Sequence, residues 1–508
     1  MTAPSASAAT SSPGQARDLV NPGFENPRLD GWKVTGRAAG VAAPGRTGNQ
    51  ALTLTGTGTV EQTVRVPDGI YTVSAWARSS GGQKSAYLFA GNGRTALPAS
   101  GDWKQIVVRG LTVTRGKLTL GLRVDSRAAT TVRLDDVEVV PAAEPYTFYK
   151  GGDITMLNWV EDSGGRYYDA GGHRRDPMDI LRDNGVNIVR LRLYNGTGPD
   201  HPRIGHPGDH LPQGYQDEND MLDLARRAAE HGMAVQLTFH YSDYWSNGAI
   251  QDIPKDWREV TSLPEAEAIA KLEKYVYDYT KRIMLRMKAQ GTTPAFVSLG
   301  NETAGGLLFP YGASYGQPDA FAKLARFYKA GHRAIKDVSP RSQVIIHLDA
   351  AGDDGKYEWY FGELEKQGVP FDLIGSSYYP YWTQKDIPTV LGFFERMYDR
   401  FGKKIMVMES GINWNPVTHD GIKGQLLDNG PVPYGETPEG QRDFLYELFA
   451  GLKSVRDGAV IGDLYWDPVM IPADGVGWQV GGDNVVSNTT LFDFDGRALP
   501  GLQAYADN

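Results

Sequence analysis

From residue 146 onward the chain carries eight short apolar runs separated by long amphipathic segments. The runs lie at 149–153, 187–194, 233–240, 295–300, 343–347, 371–377, 404–409 and 461–466. The segments between them read as helices over 177–184, 218–231, 263–290, 318–337, 357–366, 387–401 and 439–455. A near-continuous apolar run marks a strand buried on both faces, and a crossover helix brings the next strand back parallel to it. Eight such units in succession predict a closed (β/α)8 barrel, an α/β fold. The alternative is an open doubly wound sheet. It calls for a phosphate-binding glycine fingerprint after its first strand, and this chain has none.

The region 18–140 has a different texture. Its runs are short, alternate apolar with polar residues, and are broken by Gly, Asn and Pro. With no helical period among them, they predict a smaller antiparallel β-sandwich ahead of the barrel. Pro141-Ala-Ala-Glu-Pro145 reads as a stiff linker, 141–145, and the barrel domain as 146–508. Residues 1–17 are rich in Ala, Ser, Thr and Pro and read as a disordered tail without the apolar core of a signal peptide. The chain has no cysteine, so thiolate metal sites, disulfides and cysteine nucleophiles are excluded. A net charge of −9 argues against nucleic acid and anionic membranes as partners.

In a barrel of parallel strands, chemistry sits at the C-terminal strand ends. Those ends present Asp153, Arg190 and Arg192, His240, Asn301 and Glu302, His347 and Asp349, Tyr378 and Tyr379, Glu409, and Trp466 and Asp467. Glu302 follows the fourth strand and Glu409 closes the seventh, nearly opposite each other across an eight-stranded barrel. Either glutamate alone reads as an ion-paired residue at a strand end. Together they supply what glycoside hydrolysis needs, one carboxyl to protonate a leaving oxygen and one carboxylate to attack the anomeric carbon. Arg190 and Arg192, two apart on one strand face, are placed to keep the attacking group ionised. The aromatic content of 11% fits a cleft that stacks sugar rings, though aromatic core packing accounts for most single residues.

Seven segments carry a resemblance to a known family. They are Lys150-Gly-Gly-Asp-Ile-Thr-Met-Leu157, Asp183-Asn-Gly-Val-Asn-Ile-Val-Arg-Leu-Arg192, Phe239-His-Tyr-Ser-Asp-Tyr-Trp245, Gly300-Asn-Glu-Thr-Ala-Gly-Gly-Leu-Leu-Phe-Pro310, Ile374-Gly-Ser-Ser-Tyr-Tyr-Pro380, Met408-Glu-Ser410, and Tyr465-Trp-Asp-Pro468 with its sequel at 491–500. In this order they resemble glycoside hydrolase family 53, the retaining endo-β-1,4-galactanases. The resemblance implies Glu302 as acid/base and Glu409 as nucleophile. It implies Asn301 as a contact of the sugar 2-hydroxyl, Arg190 and Tyr379 as partners of Glu409, and His240 and Trp466 as walls of the −1 site. Asp153, Asp243, Trp245 and Trp382 are further candidates for subsite walls, with loop packing as their competing role. The implied substrate is galactan or arabinogalactan, as in pectin side chains, and the implied protein is a secreted monomer needing no cofactor and no catalytic metal. A mannanase, a xylanase or a non-catalytic carbohydrate-binding protein are the alternatives.

Two departures stand out. Phe309 occupies a position where the family commonly has Trp. Some bacterial members bind calcium in the loop after the nucleophile strand, but here only His419 and Asp420 offer ligands. The N-terminal motifs Leu19-Val-Asn-Pro-Gly-Phe-Glu25, Gly31-Trp32 and Leu134-Asp-Asp-Val-Glu138 resemble the galactose-binding-like sandwiches of carbohydrate-binding modules. That likeness implies a structural calcium between Glu25 and Asp136. It offers Trp32, Trp76, Trp103 and Tyr87 as platform aromatics, with Trp76 expected in the core.

Overall fold

Alternation in sequence becomes alternation in burial along 58–65, 69–79 and 85–90. The computed structural model describes residues 18–36, 39–127 and 129–508; the expected tail, 1–17, lies outside them. Ten strands come first: β1 (Lys33–Gly36), β2 (Ala39–Ala42), β3 (Ala51–Thr55), β4 (Gly58–Arg65), β5 (Gly69–Ser79), β6 (Ser85–Ala90), β7 (Gly93–Ala96), β8 (Lys104–Val113), β9 (Lys117–Asp125) and β10 (Thr131–Pro141). They form two antiparallel sheets, ordered β1-β4-β9-β6-β7 and β2-β3-β10-β5-β8. Tyr71, Val73, Ala75 and Ala77 of one sheet and Leu118, Leu120, Leu122 and Val124 of the other are buried in a common core. This unit comprises the described residues up to Thr147 with Tyr446–Ser454 and Asp507–Asn508.

The sandwich aromatics fall differently from expectation. Trp32 is core rather than platform: it is 7% exposed, its ring lies 5.1 Å from that of Phe24, and its Nε1 donates to the Val20 carbonyl at 2.9 Å. Trp76 is not core. It falls on the outward-facing half of β5, where the Arg46 guanidinium stacks 3.7 Å from its ring centroid. Trp103 leads into β8 and carries Arg78 at 5.1 Å, while Tyr87 lies on the other sheet under Arg94.

The second unit, Phe148–Leu445 with Val455–Ala506, is the barrel. Its strands are β11 (Tyr149–Asp153), β12 (Ile188–Leu193), β13 (Ala234–Phe239), β14 (Phe296–Leu299), β17 (Gln343–Leu348), β18 (Leu373–Tyr378), β19 (Lys404–Ser410) and β20 (Val460–Tyr465). A two-stranded hairpin, β15 (Gly306–Leu307) and β16 (Gly312–Ala313), follows β14. The eight long strands are parallel and close, with β11 paired to both β12 and β20. Closure depends on Gly151 and Gly152. A Cβ on Gly151 would sit 1.8 Å from the Ile188 carbonyl oxygen, and one on Gly152 2.6 Å from the Pro468 ring.

Helices start where acids cap them. Asp217 accepts from the Asn219 and Asp220 amides to open Glu218–Glu230, and Asp386 accepts from Thr389 to open Ile387–Phe401. Gly291 and Gly402, at φ of +85° and +62°, end Glu265–Gln290 and Ile387–Phe401. Asp353 caps a helix beginning at Asp354, one turn earlier than the sequence pattern indicates. The short helices Leu157–Asp162 and Gly501–Ala506 carry too few turns for a periodic signal.

Candidate active site

All eight barrel strands point the same way, so their C-terminal ends share one rim. Past β14 the backbone turns through two left-handed residues, Gly300 at φ +90° and Glu302 at φ +46°. The second is costly for a residue with a Cβ and fits a functional constraint. Ser377 donates from Oγ to Glu302 Oε1 at 2.7 Å, and His347 Nε2 stands 2.8 Å from that Oγ. The Glu302 backbone N–H points at His347 Nδ1, 3.5 Å away. These contacts agree on one tautomer: Nδ1 accepts, so Nε2 carries the proton and donates to Ser377. Burial keeps this imidazole neutral, holding its pKa well below the usual range.

Glu409 reaches the same space from β19. The β18–β19 ladder slips at this point, pairing Ser376 with Val407 but Ser377 with Glu409. Such a bulge re-aims side chains and here brings Ser377 and Glu409 side by side at the rim. Arg190 Nη1 donates to Glu409 Oε1 at 2.9 Å, and the Tyr379 hydroxyl to Oε2 at 3.0 Å. Arg190 also donates from Nη2 to Asn301 Oδ1 at 2.7 Å and from Nε to Thr238 Oγ1 at 3.3 Å. Asn301 in turn donates to the Ser246 carbonyl at 2.9 Å. One guanidinium thus links the second, third, fourth and seventh barrel strands through Thr238, Asn301 and Glu409.

Both carboxyls are pushed above their ordinary value by burial, but their neighbours act on them differently. Burial, then Glu409, then Asp349 push Glu302 up to about 8. Burial also raises Glu409, but Arg190 and the Tyr379 hydroxyl favour its charged form. The balance of neighbours favours the proton on Glu302 and the charge on Glu409. An oxygen of each, with a nitrogen of His347, lies within 4.8 Å of the others. Among the described residues this is the one group of three such ligands close enough to hold a metal ion, and it comprises the two facing glutamates and His347.

Beneath this pair lies a buried charge cluster. Arg192 Nη2 meets Asp467 at 3.0 Å, and Asp153 Oδ2 stands 3.5 Å from Arg190 Nη1 and 3.4 Å from Arg192 Nε. The Arg192 guanidinium also stacks on Trp245 and Trp466, at 4.7 and 4.6 Å. Asp153 is fully buried, so it acts through the arginines rather than as a cleft wall. Asp243 is also no wall. It is 2% exposed and accepts from the Lys255 amide at 2.6 Å, pinning the loop after β13. His240 is buried against Tyr194, with ring centroids 4.3 Å apart, and burial with both arginines keeps it neutral.

The cleft, about 630 Å³, is lined by Trp245, Asn301, Glu302, Tyr379, Trp382, Glu409 and Trp466, all anticipated in sequence. It is also lined by Ser377, Asp349, Lys356, Gln425 and Trp478. Trp478 stacks on Trp245 at 4.1 Å and 15°, forming a two-ring wall. It lies in the irregular stretch after β20, where no period marks it; only its being a Trp beyond a barrel strand was a signal. Phe309 lines a neighbouring hollow of about 400 Å³ with Ile204, Ile253 and Arg258, not this cleft. In the loop after β19, His419 donates its backbone N–H to Ser487 and its ring faces Phe494, while Asp420 is exposed.

Two carboxyls with oxygens less than 5 Å apart, on the rim of a (β/α)8 barrel, are the setting of a retaining glycoside hydrolase. The model of glycosyl hydrolase family 53 matches residues 149–505, and the chain belongs to that family. An endo-β-1,4-galactanase of Bacillus subtilis is 30% identical, covering 70% of this chain and 85% of its own. A probable arabinogalactan endo-β-1,4-galactanase A of Aspergillus terreus is 32% identical, covering 68% and 92%. The family 53 catalytic domain of Ignisphaera aggregans superimposes with a TM-score of 0.64 at 32% identity, over 72% of this chain and 96% of that one.

Proposed function

We propose that this protein is a retaining endo-β-1,4-galactanase acting on β-1,4-galactan and arabinogalactan, the side chains of pectin. The observation that supports it most directly is the paired setting of Glu302 and Glu409. In the first step Glu409 attacks the anomeric carbon while Glu302 gives its proton to the departing glycosidic oxygen, leaving a covalent galactosyl ester. Loss of the Glu302 proton suits the second step, where the same carboxylate takes a proton from water as that water displaces Glu409. Arg190 and Tyr379 hold the nucleophile, Asn301 is fixed beside it for the sugar 2-hydroxyl, and Trp466 offers its face to the −1 ring. Relatives bearing galactanase names point to the same substrate.

A polymeric substrate fits a secreted, monomeric enzyme, and among the described residues no helix is long and apolar enough to cross a membrane. The sandwich is proposed to be a carbohydrate-binding module that tethers the enzyme to its polymer. Glu25 accepts from the Asn49 and Gln50 amides and Asp136 from Arg46 and Thr47, so both carboxylates converge on one loop. Calcium between them would have to displace these donors, the Arg46 cation among them. Glu25 and Asp136 would hold the ion, which would pin that loop to β10.

A small panel of galactan, arabinan, xylan, mannan and cellulose tests the substrate. A site that hydrogen-bonds the axial 4-hydroxyl rejects chains lacking it by orders of magnitude. Galactan is expected to be cleaved far faster than the rest, with viscosity falling ahead of reducing-end release and with retention of anomeric configuration by NMR. Equal rates on xylan or mannan would replace this reading with that of another β-glycanase.

A further inference from the structure

On the outer face of the sheet β2-β3-β10-β5-β8, arginines stand where a neutral sugar would stack. The ladders align Gly40, Thr53, Arg133 and Arg78 across four strands, and Arg78 stacks on Trp103 at the fifth. The next outward row holds Asp135, Trp76 and Gln105. Arg133 is 9% exposed; one of its terminal nitrogens donates to the Ala42 carbonyl, and its Nε has no partner. The Thr53 hydroxyl beside it also lacks one. Among the described residues no carboxylate pairs with Arg78 or Arg133 within salt-bridge distance, whereas Arg46, on Trp76, is neutralised by Asp136 at 2.7 Å. Asp135, two residues along from Arg133, spends its oxygens on the Arg46 and Asp136 amides.

Like charges directly opposite on neighbouring strands destabilise a sheet, and a buried donor without a partner does so again. Both costs vanish if an anion lies across the pair. Guanidinium groups bind carboxylates bidentately, and a tryptophan edge beside them suits the C–H face of a pyranose. We propose that this face of the sandwich binds a uronic-acid polysaccharide, its carboxylate held by Arg78 and Arg133 and its ring against Trp103. A protein of net charge −9 has no general attraction for polyanions, so the contact has to be local.

This rests on reading the sandwich as a polysaccharide tether. The test is native affinity electrophoresis of the full chain, carrying Glu409→Gln to silence hydrolysis, in gels containing polygalacturonate, its fully methyl-esterified form, or galactan. Polygalacturonate is expected to retard the protein, and esterification to weaken this at least roughly tenfold. Arg78→Gln and Trp103→Ala are expected to lose a similar factor and Arg78→Lys less, with turnover of short galacto-oligosaccharides unchanged in the corresponding active chains. Equal retardation by the ester, or undiminished retardation of Arg78→Gln, overturns the proposal. The ester comparison uses the unaltered sandwich, so it decides even if a variant misfolds. Retardation by galactan alone leaves the tether standing and sinks the uronate site, and retardation by neither removes both.

Discussion

Removing the Glu409 carboxylate takes away the proposed nucleophile and leaves Arg190 with Asp153 as its remaining carboxylate partner. Glu409→Ala is expected to lower kcat on every substrate by more than about a thousandfold, about 4 kcal/mol. Glu302→Ala should match that loss on galactan yet spare formation of the glycosyl-enzyme from an aryl galactoside, whose leaving group needs no proton. Because Glu302 is raised to about 8, the alkaline limb of kcat/KM reports its deprotonation. Ser377 donates to the ionised form and so lowers this value. Ser377→Ala is therefore expected to move the limb to higher pH, a shift no loss of fold would mimic. Stability follows with a definite sign. A carboxyl raised in the folded state stabilises fully below its ordinary value of 4.5, and that contribution is lost as pH rises toward about 8. Glu302→Gln should raise Tm more at about pH 8 than at about pH 4, measured by calorimetry.

Elements place these residues through their ends. Arg190 and Arg192 alternate inward on β12, and the end of β11 supplies Asp153 to both. Taking one partner from a buried charge cluster typically costs about 3–5 kcal/mol, because the remaining charge is left without water or counterion. Asp153→Ala is thus expected to cut the urea midpoint sharply, and Glu409→Ala, which removes another partner of Arg190, to lower it as well as abolishing activity. Beyond β20, Trp478 reaches back onto Trp245. Trp478→Ala should raise KM for long galacto-oligosaccharides while kcat changes little, as expected for a wall that binds sugar away from the scissile bond. An equal loss on the shortest substrate would place Trp478 in the reacting subsite instead.

At the scale of the molecule, the chain passes between its two units more than once, since Tyr446–Ser454 and Asp507–Asn508 belong with the N-terminal one. Point changes in the full chain are therefore a better test of the sandwich than a truncation, since the N-terminal unit also runs on to Thr147. Tethering acts through effective concentration and leaves the chemical step alone. Trp103→Ala is expected to reduce activity on pectic polymer relative to galactotetraose, with kcat on the oligosaccharide kept. An unchanged ratio would make the sandwich a spacer. If calcium joins Glu25 to Asp136, excess EGTA should lower the melting temperature of the full chain and added calcium restore it; melting that ignores both would remove the ion from the account.

Strand and helix order was legible because period carries it: buried parallel strands must be apolar throughout, and the helices covering them must be amphipathic. The meeting of Glu302 and Glu409 was legible too, since each glutamate stands where an apolar strand meets the rim. Trp76 went the other way because a two-residue alternation leaves open which half faces inward, and only the partner sheet decided that Trp76 points out. Asp153 and Asp243 bear the residue type of a sugar ligand, but burial under two arginines and against a loop amide gave them other work. Ser377 stood inside a family-like motif without a role and Trp478 showed only its residue type, because a bulge in one ladder and a loop folding back bring distant residues together without altering any local pattern. Sequence alone thus determined what is periodic along the chain and which carboxyls end strands. Tertiary structure decided which atoms face each other, because that depends on register and closure between segments far apart in the chain.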